Sequence, residues 1–402
     1  MEWKEVRLGD IVSIKSGLAY KGAFIGKGEN ILLGMGCVSF KDKFLFSGAR
    51  PYEADCEDKY CVEPGDIVLA TRQQSDNLPI LAMPAIIPAS LKAKKIIYGT
   101  NLYKVENHSE VTNDFLFWQL KTPDYIDYIS SVKTGSVVRM VTKKNVEDYV
   151  FRCPPKEVRD RISKLLWGLD RKIELNNKIN ADLEEMAQAI FKNWFVDFEP
   201  FKNGKFVDSE LGMIPEGWKV GTLADIAEIT MGQSPAGNSL NENREGMIFY
   251  QGSSDFGFRF PSIRVFTTEP KRLAVANSVL FSVRAPVGDI NVAKEECCIG
   301  RGVASIKSKY GHDSYLFYTM KSLHKLFDSF DGEGTVFGSI NKKTLSAIQI
   351  LLPSDGIVEQ FNNIASSFDD RIRSLSDESS RLSLLRDTLL PRLMSGELEV
   401  PE

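Results

Sequence analysis

The chain of 402 residues contains an internal repeat that spans almost its whole length. The segment WKEVRLGDIVSIKSG, Trp3 to Gly17, aligns with WKVGTLADIAEITMG, Trp218 to Gly232, at a spacing of 215 residues. GDIVLATR, which ends at Arg72, corresponds to NSVLFSVR, which ends at Arg284, and the later motifs GSVVRMVTKKN and GTVFGSINKKT are 199 residues apart. A repeat of this kind determines the architecture before any single element is assigned. The chain therefore carries one fold twice.

Each half has the pattern of a mixed α/β domain. Alternating apolar residues at its start and short apolar runs, Ile67 to Ala70 and Val279 to Ser282, predict strands. Aromatic-rich segments that follow capping residues predict one helix per half, Asp114 to Leu120 with its continuation and Asp313 to Phe327. A last strand in each half ends at proline, which cannot continue a ladder.

A heptad pattern follows each domain. From Ile162 onward, residues recur with strict 4,3 spacing, and every member has a counterpart 199 residues later. An ordinary core helix explains one such run alone, but two runs in identical phase favour helices that pack along their length. The residues expected in this packing are Ile162, Leu165, Leu169, Ile179, Leu183 and Met186, and in the second copy Phe361, Ile364, Phe368, Leu382, Leu385 and Leu389.

Polar residues interrupt both heptad runs midway, at Lys172 and Asn176 and again at Arg371 and Glu378. Such positions can fix the register of paired helices at some cost in stability. Two related helices in one chain can pair antiparallel about an approximate twofold axis. About 36 residues at 1.5 Å each give a rod of roughly 54 Å, long enough to hold two domains apart.

These patterns predict an α+β chain in which two pseudo-symmetric mixed α/β domains are separated by two long antiparallel coiled-coil helices. The stretch between the copies is rich in Gly and Pro, has neither period and is interpreted as a linker. The predicted segments are domain 1 at 1–155, the first long helix at 156–198, the linker at 199–217, domain 2 at 218–355 and the second long helix at 356–396.

Composition restricts the class of protein. No run of about 18 uncharged apolar residues could cross a bilayer, and the N-terminus is charged at once, so we expect no secretory signal and a cytoplasmic location. The net charge of −4 is unusual for a protein that binds nucleic acid. However, residues 1–155 carry 20 basic against 19 acidic side chains and residues 201–355 carry 17 of each. Local basic loops, or a partner that supplies positive charge, would then be needed to bind DNA.

The cysteines do not indicate a metal site or a disulfide framework. There are six, without a C-x-x-C pair, and only three histidines accompany them. The adjacent Cys297 and Cys298 could be a redox pair, but two buried thiols on a strand are the commoner meaning.

The sequence lacks the motifs of methyltransferases, nucleotide-binding enzymes and nucleases. An adenine methyltransferase needs a polar residue, two prolines and an aromatic in its loop; the nearest match, Cys153 to Lys156, lacks both the polar and the aromatic member. Neither a dinucleotide loop nor a phosphate-binding loop occurs. The segment Glu57 to Lys59 resembles part of a nuclease site but has no matching upstream Pro-Asp pair. We therefore expect a chain without catalytic activity.

Side chains suited to DNA recognition cluster in loops of both halves, and the arginines Arg72 and Arg284 and the two lysine pairs lie at equivalent positions. Arg, Gln and Asn read base edges in the major groove, and lysine pairs suit phosphate contacts. Exposed polar turns explain the same residues taken singly, and their recurrence favours DNA binding. The candidates are Arg72, Gln73, Gln74, Asn77, Lys143 and Lys144 in domain 1, and Gln251, Ser253, Ser254, Arg284, Lys342 and Lys343 in domain 2.

The order domain, long helix, domain, long helix, together with the motifs GDIVLATR, MAQAIFKNWFVDFEPF, IPEGW and LRDTLLPRLMSGEL, closely resembles the specificity subunits of type I restriction-modification enzymes. The resemblance covers nearly the whole chain, and its motifs lie mostly in the helices and linker. It implies a non-catalytic subunit with two target-recognition domains that bind a bipartite, asymmetric DNA site.

The resemblance also implies partners: double-stranded DNA, two methyltransferase subunits and two ATP-dependent restriction subunits. S-adenosylmethionine, ATP and Mg would belong to those partners, and we expect no cofactor or metal in this chain. Two alternatives stay open at this point. A free-standing DNA-binding regulator would need no docking helices, and a structural adaptor would need no base-reading loops.

Overall fold

The computed structural model describes residues 3–74, 80–330 and 338–400. Its contacts divide the chain into two compact units. Unit 1 consists of Met1–Leu175 with Glu378–Glu402, and unit 2 of Asn176–Asp377. Each unit thus contains one α/β domain and a part of each long helix. This division differs from the five sequence segments because each domain packs against both helices.

Unit 1 is built on two small sheets. The first is antiparallel in the order β2-β9-β5-β7, and the second has the order β4-β3-β8 with β3 and β8 parallel; β1 pairs with β11, and β6 with β10. Its strands are β1 Lys4–Arg7, β2 Val12–Ser16, β3 Ile25–Leu33, β4 Ala49–Tyr52, β5 Ile67–Ala70, β6 Arg72–Gln73, β7 Pro84–Ile86, β8 Ile96–Tyr98, β9 Leu102–Asn107, β10 Arg139–Met140 and β11 Val150–Cys153. Its helices are α1 Asn113–Gln119, α2 Pro123–Val132 and α3 Lys143–Glu147, followed by the long helix α4 Lys156–Phe195, which continues into unit 2.

Unit 2 repeats this arrangement. Its antiparallel sheet has the order β15-β23-β20-β21, its second sheet the order β16-β18-β17-β22-β19 with β17 and β22 parallel, and β14 pairs with β24. The strands are β12 Phe206–Val207, β13 Ile214–Pro215, β14 Lys219–Thr222, β15 Ala227–Met231, β16 Leu240–Asn241, β17 Met247–Tyr250, β18 Val265–Thr267, β19 Leu273–Ala274, β20 Val279–Ser282, β21 Ile290–Val292, β22 Cys297–Ile299, β23 Val303–Ser308 and β24 Gln349–Leu352. The helices are α5 Leu223–Ile226, α6 Asp313–Ser322, α7 His324–Asp328, α8 Lys342–Ser346 and the long helix α9 Asp355–Ser395, which ends in unit 1.

Each domain contains the same close backbone contact, which identifies the two domains as copies of one fold. A Cβ on Gly17 would lie 2.2 Å from the carbonyl oxygen of Gly99, and a Cβ on Gly232 would lie 2.2 Å from that of Gly300. Only glycine permits this approach, which brings the end of β2 against the turn before β9 in domain 1 and the end of β15 against the turn before β23 in domain 2. The predicted repeat is therefore a repeat of structure.

Two elements differ in detail from the predictions. The helix predicted from Asp313 to Phe327 is two helices, α6 and α7, interrupted at Leu323. The predicted linker contains the short hairpin formed by β12 and β13. Cys297 and Cys298 are buried on β22, as predicted for structural thiols. None of the helices in the described ranges combines the length and apolarity needed to span a bilayer.

The long helices pack antiparallel in both units. In unit 1, Leu166 of α4 shares a core with Leu390 of α9, and Lys172 forms an ion pair of 3.2 Å with Glu378. In unit 2, the core joins the end of α4 to the start of α9. Two of the four polar positions that interrupt the heptads, Lys172 and Glu378, thus face each other in unit 1, as expected for residues that fix register.

The buried stripe of the helices differs in phase from the prediction. Ile162 and Phe361 are fully buried, whereas Met186, Ile364 and Leu385 are 51%, 37% and 46% exposed. At several places the buried residue is the one that follows the predicted position, since each helix packs on a domain as well as on the other helix. The remaining predicted positions are half-buried, namely Leu165, Leu169, Ile179, Leu183, Phe368, Leu382 and Leu389.

A buried ion cluster holds domain 2 against the helices of unit 2. The Arg259 guanidinium is 2% exposed and donates to Glu184 of α4 at 2.9 and 3.2 Å and to Asp369 of α9 at 2.5 Å. It also lies 4.1 Å from the ring centroid of Phe317 and donates to the Tyr318 hydroxyl at 3.0 Å. One side chain of the domain therefore binds both helices.

Unit 1 has a corresponding junction in which the arginine comes from a helix instead. Arg386 of α9 donates to Asp170 of α4 at 2.7 Å, and both side chains are 11% exposed. The guanidinium lies 5.9 Å from the ring of Trp118 in domain 1. Asp170 and Asp369 are 199 residues apart and therefore occupy equivalent positions of the repeat. Both junctions use this carboxylate, but its arginine partner comes from α9 in unit 1 and from the α/β domain in unit 2.

Lys121 lies beside this junction and donates to the backbone carbonyls of Phe40 and Asp42 at 3.2 and 3.0 Å. Burial lowers the pKa of the Lys121 amine from 10.5 to about 8, and the charge of Arg386 adds to the effect. Between these values the unfolded chain binds more protons than the folded chain, so this amine makes the free energy of unfolding rise with pH.

We therefore expect Lys121→Met to reduce the gain in stability between pH 8 and pH 10. Urea midpoints of the wild type and the variant at both pH values measure this difference, with Lys41→Met, at an exposed position, as the control. An unchanged pH dependence in Lys121→Met would show that another group is responsible.

Candidate nucleic-acid interface

In domain 1, the end of β5 brings the predicted residues to one edge of the sheet. The chain leaves β5 through Thr71, whose N–H donates to the Asn101 carbonyl at 3.0 Å, and continues as β6. There Arg72 pairs with Met140 of β10. Because α3 begins three residues after Met140, Arg72 and the lysine pair meet on the same part of the surface.

Arg72 is exposed and lies near the phenol of Tyr103. Burial raises the pKa of Tyr103, and the positive charge of Arg72 opposes that rise. The Tyr103 hydroxyl donates to the Val141 carbonyl at 3.2 Å, which ties β9 to the segment after β10. The Tyr103 hydrogen bond and the pairing of β6 with β10 thus tie the backbone around Arg72 to two neighbouring strands.

The structure places the other residues of this loop differently. Gln73 is 5% exposed and its Oε1 accepts the N–H of Leu81 at 3.1 Å, so its side chain is buried and not available to a base. Its neighbour Gln74 is exposed. Asn77 lies outside the described residues. Alternation along a strand explains the difference, since side chains on either side of Gln73 point to the opposite face.

The lysine pair of domain 1 begins α3. The Thr142 hydroxyl caps this short helix by accepting the N–H of Asn145 at 3.1 Å, and Lys143 and Lys144 are exposed in its first turn. Two mobile ammonium groups on a fixed turn suit phosphate oxygens. The structure therefore leaves this prediction open to a direct test.

Domain 2 repeats the same pairing. Arg284 forms a bridge with Ser339, and the N–H of Ile340 donates to the Val283 carbonyl at 3.1 Å. Asn341 caps the following helix, where Lys342 and Lys343 are exposed. An exposed arginine and a lysine pair thus occupy equivalent places in both domains.

Gln251 reaches this edge of domain 2 from β17. Its side-chain amide lies 3.3 Å from the Ser234 hydroxyl, which also accepts the N–H of Arg301 at 3.3 Å. The N–H of Val283 donates to the Gly302 carbonyl at 3.0 Å. Arg284 follows Val283 and Arg301 precedes Gly302, so this hydrogen bond brings the backbones of the two arginines close together. Ser253 is half-buried at the start of a turn and Ser254 is exposed.

Sequence reasoning missed Ser234, Arg301 and Arg139 as members of these surfaces. The repeat could have indicated Ser234 and Arg301, because each lies close in sequence to one of two glycines that contact each other. Ser234 comes two residues after Gly232, and Arg301 comes directly after Gly300. The position of Arg139 required the pairing of β6 with β10. Within the described ranges, no group of three or more His, Cys, Asp and Glu side chains is arranged to hold a metal ion.

The two domains thus present the same exposed arginine and lysine pair at equivalent positions. The family model of the type I restriction modification DNA specificity domain matches residues 1–185 and 215–382. The chain belongs to this family.

Relatives of known name support the assignment. The chain is 30% identical over 352 residues to the putative type I restriction enzyme MjaX specificity subunit of Methanocaldococcus jannaschii, covering 85% of this chain and 80% of that protein. It is 24% identical over 477 residues to the type I restriction enzyme HindI specificity subunit of Haemophilus influenzae, covering 99% and 100%. Its fold is similar to that of the type I restriction-modification system S subunit from M. genitalium, with a TM-score of 0.56, 15% identity and coverage of 98% and 96%.

Proposed function

We propose that this chain gives a type I restriction-modification enzyme its DNA sequence specificity, by reading a bipartite, asymmetric target with one half for each domain. The observation that carries the proposal is the duplicated pairing of Arg72 with Met140 and of Arg284 with Ser339, each followed by an exposed lysine pair. Two copies of one surface can read two half-sites. Because the loops differ in sequence, the half-sites differ too.

The proposal divides the labour within each surface. Arg72 and Gln74 in domain 1, and Arg284 and Gln251 in domain 2, would donate to base edges in the major groove. The lysine pairs would bind phosphates and set the position of each domain on the duplex. Backbone contacts alone would give affinity without sequence preference.

The catalytic groups would belong to partner subunits. We propose two modification subunits that use S-adenosylmethionine and two restriction subunits that use ATP and Mg, with no catalysis by this chain and with its action on DNA in the cytoplasm. Exposed apolar residues on the long helices support docking there, with Leu175, Leu384 and Leu385 exposed by 52%, 70% and 46%. A free-standing regulator would not need such helices.

Reconstitution tests the proposal. The chain is combined with its modification subunits and S-adenosylmethionine, and methylated adenines are mapped on genomic DNA; the chain alone and the modification subunits alone serve as controls. Methylation at one bipartite sequence only when all components are present is the expected result. Methylation by the chain alone, or an unchanged pattern without it, would contradict the proposal.

Single substitutions test the division of labour. Arg72→Ala is expected to cost about 1–3 kcal/mol of discrimination and to relax the methylated sequence in one half-site only. Lys143→Ala should weaken binding to all sequences and lower the salt dependence by about one phosphate contact. Arg152→Ala, an exposed position on β11, is the matched control. Equal losses on specific and random DNA for Arg72→Ala would assign it to the phosphates instead.

A further inference from the structure

A closed hairpin beside Arg72 presents apolar side chains to solvent. Thr134 and Met140 exchange two backbone hydrogen bonds of 2.9 Å, and Gly135 adopts a φ of +92°, which glycine accepts without strain. The Arg139 guanidinium donates to the Gly135 carbonyl and braces the loop from within. These hydrogen bonds close the hairpin and hold its two ends together.

The tip carries two valines. Val137 is 82% exposed and Val138 is 37% exposed. Single exposed valines occur on most protein surfaces. These two, however, lie at the end of a braced loop whose strand pairs directly with that of Arg72. The hairpin therefore joins directly onto the strand that pairs with Arg72.

The charge around the hairpin indicates what covers it. Residues 128–146 contain four basic side chains, Lys133, Arg139, Lys143 and Lys144, and no acidic one, while Asp127, Glu147 and Asp148 border the segment. A locally basic segment with an apolar tip suits a polyanion that also offers an apolar group. Duplex DNA meets both requirements.

We infer that Val137 contacts the 5-methyl group of a thymine in the half-site read by domain 1. The inference rests on the proposed function and deepens it. In the major groove, the thymine methyl is the apolar group that a base pair presents, and small apolar side chains recognise it. Side chains that wedge between base steps are typically Phe, Leu, Ile, Met or Pro, so a valine at the tip of a closed hairpin fits contact with a base edge better.

Uracil, which is thymine without the methyl group, provides the test. The full chain with its modification subunits is bound to duplexes carrying the mapped target, and each thymine is replaced in turn by uracil. Fluorescence anisotropy measures the dissociation constants. We expect one replacement to weaken wild-type binding roughly fourfold, the equivalent of about 0.8 kcal/mol for one buried methyl group. Val137→Ala should weaken binding to the thymine duplex by a similar factor and lose its response to that replacement.

Val150→Ala is the matched control, since Val150 is 51% exposed on β11 of the same domain; it should bind and discriminate as the wild type does. A wild type that does not distinguish uracil from thymine at any position, or a Val137→Ala variant that distinguishes them equally well, would overturn the inference. In both cases methylation of a defined sequence would persist, whereas its absence would contradict the proposed function itself.

Discussion

Arg259→Ala is expected to lower the free energy of unfolding of unit 2 by about 3–5 kcal/mol, the largest effect of any single substitution proposed for this chain. The substitution removes from Glu184 and Asp369 the guanidinium that both accept from. Glu184, 8% exposed, keeps its ion pair with Lys321, and Asp369, 21% exposed, keeps the hydrogen bond from the Tyr318 hydroxyl. Breaking a buried ion pair on one side costs more than the pair contributed, because each carboxylate stays partly desolvated after losing this cation. Arg259→Lys should lie in between, because a lysine cannot donate in a fork to one carboxylate while it reaches another.

Urea unfolding followed by hydrogen exchange of unit 2 peptides measures this loss, since a chain of two units need not unfold in one step. The exposed Arg272 provides the control, and Arg272→Ala should change stability by less than about 0.5 kcal/mol. Unchanged exchange in unit 2 of Arg259→Ala would mean that the apolar core alone holds the domain on the helices.

The sequence predicted those elements whose cause is local. The strands Ile67–Ala70 and Val279–Ser282 match the structure because a short apolar run between turns has few alternatives. The end of α9 at Ser395 follows from Gly396, which adopts a φ of +79°. The repeat predicted the common topology of the two domains, since one half constrains the other.

Elements with a distant cause could not be predicted in the same way. Asp170 and Glu184 are polar residues in positions that are buried, and their partners Arg386 and Arg259 come from far away in the chain. A hydrophobic pattern alone places such residues on the solvent side. For this reason, the buried stripe predicted for the long helices is displaced by one residue from the stripe in the structure. The burial of Gln73 could have been predicted, because Gln73 and Arg72 are adjacent on a strand and their side chains must point to opposite faces.

A fragment of residues 1–200 is expected to form a homodimer. In the whole chain, Ile162 and Leu166 pack with Leu390 and Leu393 of α9, which the fragment lacks. The positions 199 residues earlier than these leucines are Phe191 and Trp194, which the fragment retains. A second copy can therefore cover the exposed apolar stripe with its own α4.

The two domains of such a dimer are identical and related by true symmetry, so with the modification subunits it should methylate a palindrome of the first half-site. Analytical ultracentrifugation and methylation mapping measure both consequences. Leu166→Lys should keep the fragment monomeric, whereas Leu175→Lys, at a position 52% exposed, should not. A well-folded monomer, or methylation of the original asymmetric target, would rule the model out.

The same geometry predicts a substitution that strengthens the dimer. Arg386, which neutralises Asp170 in the whole chain, has Ala187 as its counterpart 199 residues earlier, so the homodimer leaves two Asp170 carboxylates without that cation. Ala187→Arg should return a guanidinium to each and tighten dimerisation about tenfold or more, since hydrogen bonds to charged groups contribute about 1.5–3 kcal/mol. Sedimentation of the fragment at a series of concentrations measures the change. Ala187→Gln is the control, because it adds bulk without charge, and equal effects of the two substitutions would show that Asp170 does not meet residue 187 of the second copy.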